Sequence, residues 1–148
     1  MLLVCGSLGA GACADASRMF TGVWRAETAL ESMWISGKPE LAIGHFGPEL
    51  TGVAHFRDAD GLPDPTCLCA FIDQQDVDLD QRRFVATTTM CDEPSTLLIW
   101  QLTLDDDGPD PRLVGDVRRA GDETSTPIAV SFELDDEFVP DDRRECAR

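Results

Sequence analysis

The sequence contains no tyrosine, three tryptophans and two histidines among its 148 residues. With so few aromatic side chains, we do not expect a carbohydrate-stacking platform. Basic residues are also scarce, because 12 lysines and arginines stand against 28 acidic residues, for a formal net charge of −16. Such an acidic surface repels nucleic acid and anionic lipid headgroups, so we expect no nucleic-acid partner. The length suits one domain with its own core.

Motifs that perform catalysis or hold a metal are missing as well. There is no Gly-x-Ser-x-Gly elbow to present a nucleophile. His45 and His55 lie on the two arms of a predicted hairpin and face each other if its turn is centred near Leu50. If the turn comprises residues 48 and 49 alone, His45 faces Gly52 instead. Neither arrangement supplies a third ligand, so we expect no metal site, no cofactor and no enzymatic activity.

The first residues have the composition of an export signal. Residues 1–12 are apolar, uncharged and small toward their end, which predicts a signal peptide too short to span a bilayer. The run Ala10-Gly11-Ala12-Cys13 resembles a bacterial lipoprotein signal, which implies lipidation of Cys13 and a tether over residues 13–19. The family expects a branched aliphatic residue where Ala10 stands and a basic residue near the start, which this chain lacks. Plain secretion after cleavage, or an unexported chain with a buried first strand, are the alternatives.

Besides Cys13, four cysteines follow the predicted signal, namely Cys67, Cys69, Cys91 and Cys146. An even number of cysteines in a small exported domain predicts two disulfides. Residues two apart on a strand are poorly placed to bridge, so we expect Cys67 and Cys69 to pair separately with Cys91 and Cys146, in either order. A four-cysteine zinc site is the rival, but the sequence lacks paired Cys-x-x-Cys knuckles. We expect Cys146 to tie down the C-terminal tail.

Short segments of alternating apolar and polar residues, separated by turn residues, fill the chain after residue 19. This period of two predicts eight β-strands. They span residues 20–26, 40–46, 50–57, 67–80, 83–91, 97–104, 113–119 and 128–135. Residues 27–37 are predicted to form one helical turn or an omega-type loop across the barrel mouth, ended by Pro39.

Consecutive strands joined by short turns pair antiparallel, and eight of them close into a narrow up-and-down barrel. We therefore predict an all-β fold with one eight-stranded antiparallel β-barrel, with a two-sheet β-sandwich as the alternative. A two-residue turn at residues 81 and 82 is predicted to place Leu79 opposite Phe84 and Val77 opposite Ala86.

The motif Gly22-x-Trp24 on the first of eight strands resembles the lipocalin and calycin superfamily. In that family the tryptophan packs at the closed end of the barrel, and members bind small apolar molecules inside it or present loops to a protein. The family's Thr-Asp-Tyr type motif is absent because there is no tyrosine, and only Arg118 and Arg119 are candidates for the arginine that covers the tryptophan. The resemblance implies a lipocalin-like barrel over residues 20–148.

The candidate residues for a ligand cavity are Trp24, Trp34, Trp100, Phe56 and Phe84. Alternation places all of them on inward faces except Trp34, which lies in the loop over the mouth. We expect Trp24 to be buried near one end and packed by Phe132 or Trp100. The number of large inward side chains slightly favours a filled barrel.

These observations predict an exported envelope lipoprotein whose small β-barrel acts as a binding or interaction module without catalysis. A secreted, protease-inhibitor-like barrel and a carrier of small apolar ligands are the alternatives. The expected partner is an unidentified protein or a small apolar ligand. We expect membrane contact through a lipid anchor alone, and a monomer.

Overall fold

The computed structural model describes residues 18–31, 36–57, 70–89, 97–121, 124 and 126–136. All regular structure in these residues is extended, apart from one short 3₁₀ turn that begins at Arg18. The strands are β1 (Gly22–Ala26), β2 (Leu30–Glu31), β3 (Ser36–Phe46), β4 (Glu49–Arg57), β5 (Ala70–Asp78), β6 (Arg83–Thr89), β7 (Leu97–Asp105), β8 (Arg112–Arg119) and β9 (Ile128–Asp136).

Eight of these strands form a closed antiparallel barrel. From β3 to β9 each strand pairs with its neighbour in sequence, and β1 pairs with both β9 and β3, which closes the ring. The short strand β2 lies outside the ring and pairs only with the start of β3. The prediction of an eight-stranded antiparallel barrel is confirmed, and the alternative of a β-sandwich is not adopted.

The alternation seen in the sequence determines which side chains fill the barrel. In β7 the residues Leu98, Trp100, Leu102 and Leu104 are buried, whereas their immediate neighbours are half-buried or exposed. The same alternation in the other ring strands gives one core of twenty buried residues, drawn from all eight of them and from Phe20 and Leu30. Burial of this continuous apolar surface is the main term that stabilises the barrel.

One side chain links the strands on either side of the closure. Arg25 of β1 donates from Nε to Oε2 of Glu40 on β3 (3.1 Å) and from Nη1 to Oδ1 of Asp135 on β9 (3.2 Å). The Glu40 side chain is only 7% exposed, so its carboxylate is shielded from water and depends on such contacts. The guanidinium therefore links β1 to both of its neighbours, β3 and β9, where the ring closes.

Residues 27–37 differ from the prediction of a helical turn or an omega-type loop. Leu30 and Glu31 pair with Gly37 and Ser36, so this segment contains a small antiparallel pair. Strand β3 starts at Ser36, and Pro39 lies within it instead of ending the preceding segment. On the β1 side, the pairing of β3 covers only residues 40–43, so Pro39 has no partner there. A proline, which has no N–H to donate, is tolerated at such a position.

The hairpin between β5 and β6 was predicted with the wrong register. Val77 lies opposite Phe84, not Ala86, and Leu79 belongs to a four-residue turn, residues 79–82. One hydrogen bond and one backbone conformation accompany the longer turn. The backbone N–H of Gln81 donates to the Asp78 carboxylate (2.9 Å), and Arg82 adopts a left-handed backbone with φ of 54°. Asp and Asn side chains commonly stabilise turns in this way.

Candidate functional site

The barrel interior is filled by its own side chains. Trp100 packs edge-to-face on Phe132, with ring centroids 6.0 Å apart, and its indole N–H donates to the Thr88 hydroxyl (3.0 Å). Phe20 packs edge-to-face on Phe84 at 5.0 Å. Such pairs are typical of close-packed cores. Of the predicted cavity residues, Trp24, Trp100 and Phe84 are core residues, and Phe56 packs against the core while half-buried.

One end of the barrel, which we call the plugged end, is closed by residues 18–21. A 3₁₀ turn carries Phe20 into the interior, although the sequence predicted this residue on the first strand. Trp24 is 1% exposed, and its indole N–H donates to the carbonyl oxygen of Phe20 (2.9 Å). Trp24 is thus buried near one end as predicted, but its hydrogen-bond partner is the plug, while Phe132 and Trp100 pack on each other.

His45 fixes the plug to the wall. The backbone N–H of Phe20 donates to Nδ1 of His45 (3.5 Å), so this nitrogen is an acceptor and Nε2 carries the proton. Nε2 in turn donates to the carbonyl oxygen of Gly47 (2.8 Å). The Thr21 hydroxyl accepts from the His45 N–H (3.0 Å) and donates to its carbonyl oxygen (3.2 Å). Both ring nitrogens and the hydroxyl therefore have structural partners.

The histidine pairings considered from the sequence are both wrong. His45 lies opposite Leu50, and His55 lies opposite Glu40. The two-residue turn at positions 47 and 48 sets this register. His45 therefore belongs to the inward row of β3 and His55 to the outward row of β4, so they cannot share a metal ion. Among the described residues there is no group of three or more potential metal ligands.

A cleft of about 980 Å³ lies at the plugged end. Its apolar lining includes Met19, Phe46, Leu104 and Pro109, from the plug, β3, β7 and the turn between β7 and β8. Phe46 points outward at the end of β3 and is 72% exposed, the largest exposure among the large apolar side chains of the described structure. A single exposed apolar side chain is ordinary on a protein surface, but Phe46 also lines the cleft beside other apolar residues, which makes this region a candidate contact surface.

The polar part of the cleft contains an ion pair between two turns. Arg82 donates from Nη1 to Oδ1 of Asp106 (2.6 Å), and its second Nη contacts the other carboxylate oxygen. The hydrogen bond from Arg82 lowers the pKa of Asp106 from its ordinary value of 3.8, and the same bond raises the pKa of Arg82. The Arg82 carbonyl oxygen also accepts from the N–H of Leu104 (2.8 Å). The two turns thus hold each other in place.

Several predicted site residues lie outside the described residues: Cys13, Trp34, Cys67, Cys69, Cys91 and Cys146. Arg118 and Arg119, considered as covers for Trp24, are at the C-terminal end of β8. Trp24 pairs with Leu134, which follows Phe132, and Phe132 pairs with Leu113 at the start of β8. The two arginines are therefore at the other end of the barrel from Trp24 and cannot cover it.

The cleft itself was missed by the sequence analysis. The available signal was the apolar pair Met19 and Phe20 at the junction of the predicted tether and the first strand. Neither a nucleophile with a base nor a cluster of metal ligands lines the described part of the cleft. It offers binding contacts instead: the exposed ring of Phe46, the guanidinium groups of Arg18 and Arg82, and the carboxylates of Glu49 and Asp106.

Comparisons with known proteins do not assign the chain to a family. No family model matches the sequence, and no curated protein and no solved structure was found to resemble it significantly. Within the described residues there is no helix long and apolar enough to cross a membrane. The closed eight-stranded antiparallel barrel is consistent with a lipocalin-like architecture.

Proposed function

We propose that this protein is an exported interaction module that binds a positively charged segment of another protein at the cleft of the plugged end. It performs no catalysis. The observation that carries this proposal is Phe46, a phenylalanine 72% exposed on the rim of a cleft in a barrel whose interior is already filled. A few anchor side chains that become buried at the centre of a protein interface commonly dominate its binding energy, and Phe46 is placed to act as one.

The packed interior supports an interaction module over a carrier of small apolar ligands. Carriers of this architecture need an empty lumen, whereas Trp24, Trp100, Phe20, Phe84 and Phe132 are each at most 1% exposed inside this barrel. Opening a lumen would remove their contacts with one another and cost several kcal/mol. A filled barrel is instead a rigid scaffold that holds its turns in fixed positions.

The charge around the cleft supports a basic partner. The charged residues that line the cleft balance, with Arg18 and Arg82 against Glu49 and Asp106. The excess of negative charge comes from Asp105, Asp107 and Asp110, which are exposed on the adjoining turn between β7 and β8. The chain as a whole carries a net charge of −16. A lysine- or arginine-bearing segment is attracted and oriented by this field, whereas an acidic surface is repelled. We therefore infer a basic partner segment that also presents an apolar side chain to Phe46.

Export and anchoring complete the proposal. We propose cleavage of residues 1–12 and lipidation of Cys13, with Cys67, Cys69, Cys91 and Cys146 forming two disulfides in an oxidising compartment. The chain enters the barrel at the plugged end, and only four residues lie between Cys13 and Arg18, so their Cα atoms are at most about 17 Å apart. A lipid anchor would therefore hold the cleft close to the membrane, which favours a membrane-proximal partner. The barrel and the position of Trp24 support a lipocalin-like relationship.

In-cell photocrosslinking tests the binding site directly. A photoreactive amino acid replaces Phe46 in one variant and Leu97 in another, and each full-length protein is expressed in its native host. Leu97 is the matched control because it is also an exposed apolar residue (41%) but begins β7 at the opposite end. We expect a discrete adduct at position 46, with a basic protein segment identified by mass spectrometry, and none at position 97. The same adducts from both positions, or none from position 46, would contradict the proposed site.

The anchor is tested separately. Labelled palmitate should be incorporated into the wild-type protein and not into Cys13→Ser, and only the wild type should partition into detergent. A wholly soluble, unlabelled wild type would refute lipidation and favour plain secretion. Since the crosslinking readout concerns the barrel, it remains informative in either case.

A further inference from the structure

The barrel wall is incomplete between β4 and β5 at the plugged end. These two strands share three register pairs, from Gly52 with Ile72 to Ala54 with Ala70, whereas β7 and β8 share eight. Strand β5 continues to Asp78, six residues past Ile72. Among the described residues, no strand pairs with that part of β5 on the side of β4. The second half of β5 therefore has one free edge.

The exposure of β5 changes where this edge begins. Ala70 and Ile72 point inward and are buried, as are the inward residues of the other ring strands. From Asp73 to Asp76 all four residues are exposed, so both faces of the strand are open to solvent there. Val77 is half-buried and packs against the core. The strand thus stays attached to the barrel while its edge toward β4 is open.

The side chain of Gln74 closes the seam between the two strands at one level. Its Oε1 accepts from the backbone N–H of Leu50 (2.7 Å), and its Nε2 donates to the carbonyl oxygen of Pro48 (2.9 Å). In a complete sheet, the backbone of a neighbouring strand makes such bonds. The N–H of Leu50 therefore points toward β5, and a side-chain amide occupies the position where a strand would pair.

Past this amide, β5 extends beyond the end of β4. When the register of the two strands is carried three residues further, Gln75 is level with Glu49, the first residue of β4. Residues 76–78 therefore lie beside the tip of the β3–β4 hairpin. We call residues 75–78 the free edge. It is about 10 Å long, and alternate residues of a strand turn their backbone N–H and C=O groups to the same side.

The free edge connects two parts of the cleft. One of its ends is level with Glu49, and the other leads into the turn that carries Arg82. Both of these residues line the cleft. Phe46 pairs with Glu49 across the tip of the β3–β4 hairpin. A segment that lies along the free edge therefore reaches the cleft beside the exposed ring of Phe46.

The side chains around the free edge carry charge of one sign. Four carboxylates belong to this part of β4 and β5, namely those of Glu49, Asp73, Asp76 and Asp78. No lysine or arginine occurs in residues 49–56 or 70–81. Opposite charges on neighbouring strands stabilise their pairing and like charges oppose it. The edge therefore favours a strand that carries lysine or arginine and repels a second copy of itself.

We propose that the basic segment of the partner, whose existence rests on the proposed function, binds as an added β-strand along the free edge of β5. Its backbone is hydrogen-bonded to residues 75–78, and it continues into the cleft beside Phe46. In this mode of recognition, backbone hydrogen bonds to an exposed sheet edge supply affinity, and alternate side chains of the added strand supply specificity. The carboxylates restrict an otherwise general edge to cationic strands.

Photocrosslinking from two outward positions on β5 tests this mode of binding. A photoreactive amino acid replaces Asp76 in one full-length protein and Asp78 in another, and both are expressed in the native host. Asp116 is the matched control, because it is an outward acidic residue on β8, which is paired on both sides. An added strand advances in step with β5. We therefore expect adducts on one partner segment, two residues apart, and none from position 116.

The pattern of adducts distinguishes the binding mode from the proposed function. An adduct from position 46 without any from positions 76 and 78 would leave the proposed function standing and refute the added strand. Adducts two residues apart from positions 76 and 78, with none from position 46, would support the added strand and contradict the cleft as the partner's site. Adducts at unrelated residues, within the chain itself or with a second copy would overturn the inference.

Amide hydrogen exchange gives an independent measurement on the complex crosslinked at position 46. In the free protein, the amides of residues 75–78 that point away from β6 should exchange rapidly. In the complex, their exchange should slow about tenfold or more, because they become hydrogen-bonded to the added strand. Residues 112–117 of β8, already paired on both sides, should not change. Equal exchange of residues 75–78 in the free and crosslinked proteins would refute strand addition.

Discussion

Replacement of Trp24 by alanine should be among the most destabilising single changes in this barrel. The side chain is 1% exposed and lies between the plug and the core, so its removal leaves a cavity that the surrounding strands cannot fill. Trp→Ala changes at such sites cost about 3–5 kcal/mol. The carbonyl oxygen of Phe20 also loses its bond to the indole N–H, which adds to the cost. Against a total stability of about 5–15 kcal/mol for a small domain, the loss is severe.

Two further variants separate the contributions. Trp24→Phe keeps a ring in the site but removes the donor to Phe20, so we expect a loss of about 1–2 kcal/mol. Phe46→Ala removes a large aromatic side chain that is 72% exposed, so we expect a change within about 0.5 kcal/mol. Urea unfolding followed by far-UV circular dichroism measures all three without relying on tryptophan emission. A cost below about 1 kcal/mol for Trp24→Ala, or equal costs for Trp24→Ala and Phe46→Ala, would refute the packed plug.

Two other changes follow from close contacts and from the cleft ion pair. Gly52→Ala should destabilise the barrel strongly, because the added Cβ would lie 2.2 Å from the Ala42 carbonyl oxygen. In the control variant Gly44→Ala, the added Cβ meets only ordinary contacts, so this change should be tolerated. Thermal unfolding compares the two variants. Asp106→Asn should cost less than about 1 kcal/mol at neutral pH, since the pair with Arg82 is exposed to solvent. Because the folded-state pKa of Asp106 is lowered, the ionised carboxylate stabilises the folded protein above pH 3.8, and this stabilisation is lost as the pH falls through the lowered pKa. Urea titrations should therefore show the stabilities of the wild type and of Asp106→Asn converging at that low pH.

The sequence predicted the strands well because inward and outward residues alternate almost without interruption. The ring strands β7 and β9 match their predicted residues to within one position, and Leu98, Trp100 and Phe132 point inward as expected. The pattern is informative because one face of every strand must leave water when the sheet closes. A register error would expose all of the inward side chains of a strand at once.

Local turn chemistry and the plug were harder to predict. The four-residue turn at residues 79–82 depends on the left-handed backbone of Arg82, a conformation unusual for a residue other than glycine, asparagine or aspartate. The inward position of Phe20 depends on a 3₁₀ turn and on a hydrogen bond to His45, a residue twenty-five positions away. Periodicity contains no information about such long-range contacts, so the cleft that they create could not be located from the sequence.

The proposed function depends most on a barrel that is filled and therefore binds its partner from the surface. Titration of the mature, oxidised protein with cis-parinaric acid, followed by energy transfer from the buried Trp24 and Trp100, tests this claim most directly. We predict weak, non-saturable transfer that is unchanged in Phe84→Leu, a variant that keeps the core apolar. Saturable binding of one fatty acid per protein, with a changed affinity in Phe84→Leu, would place a ligand inside the barrel and contradict the account.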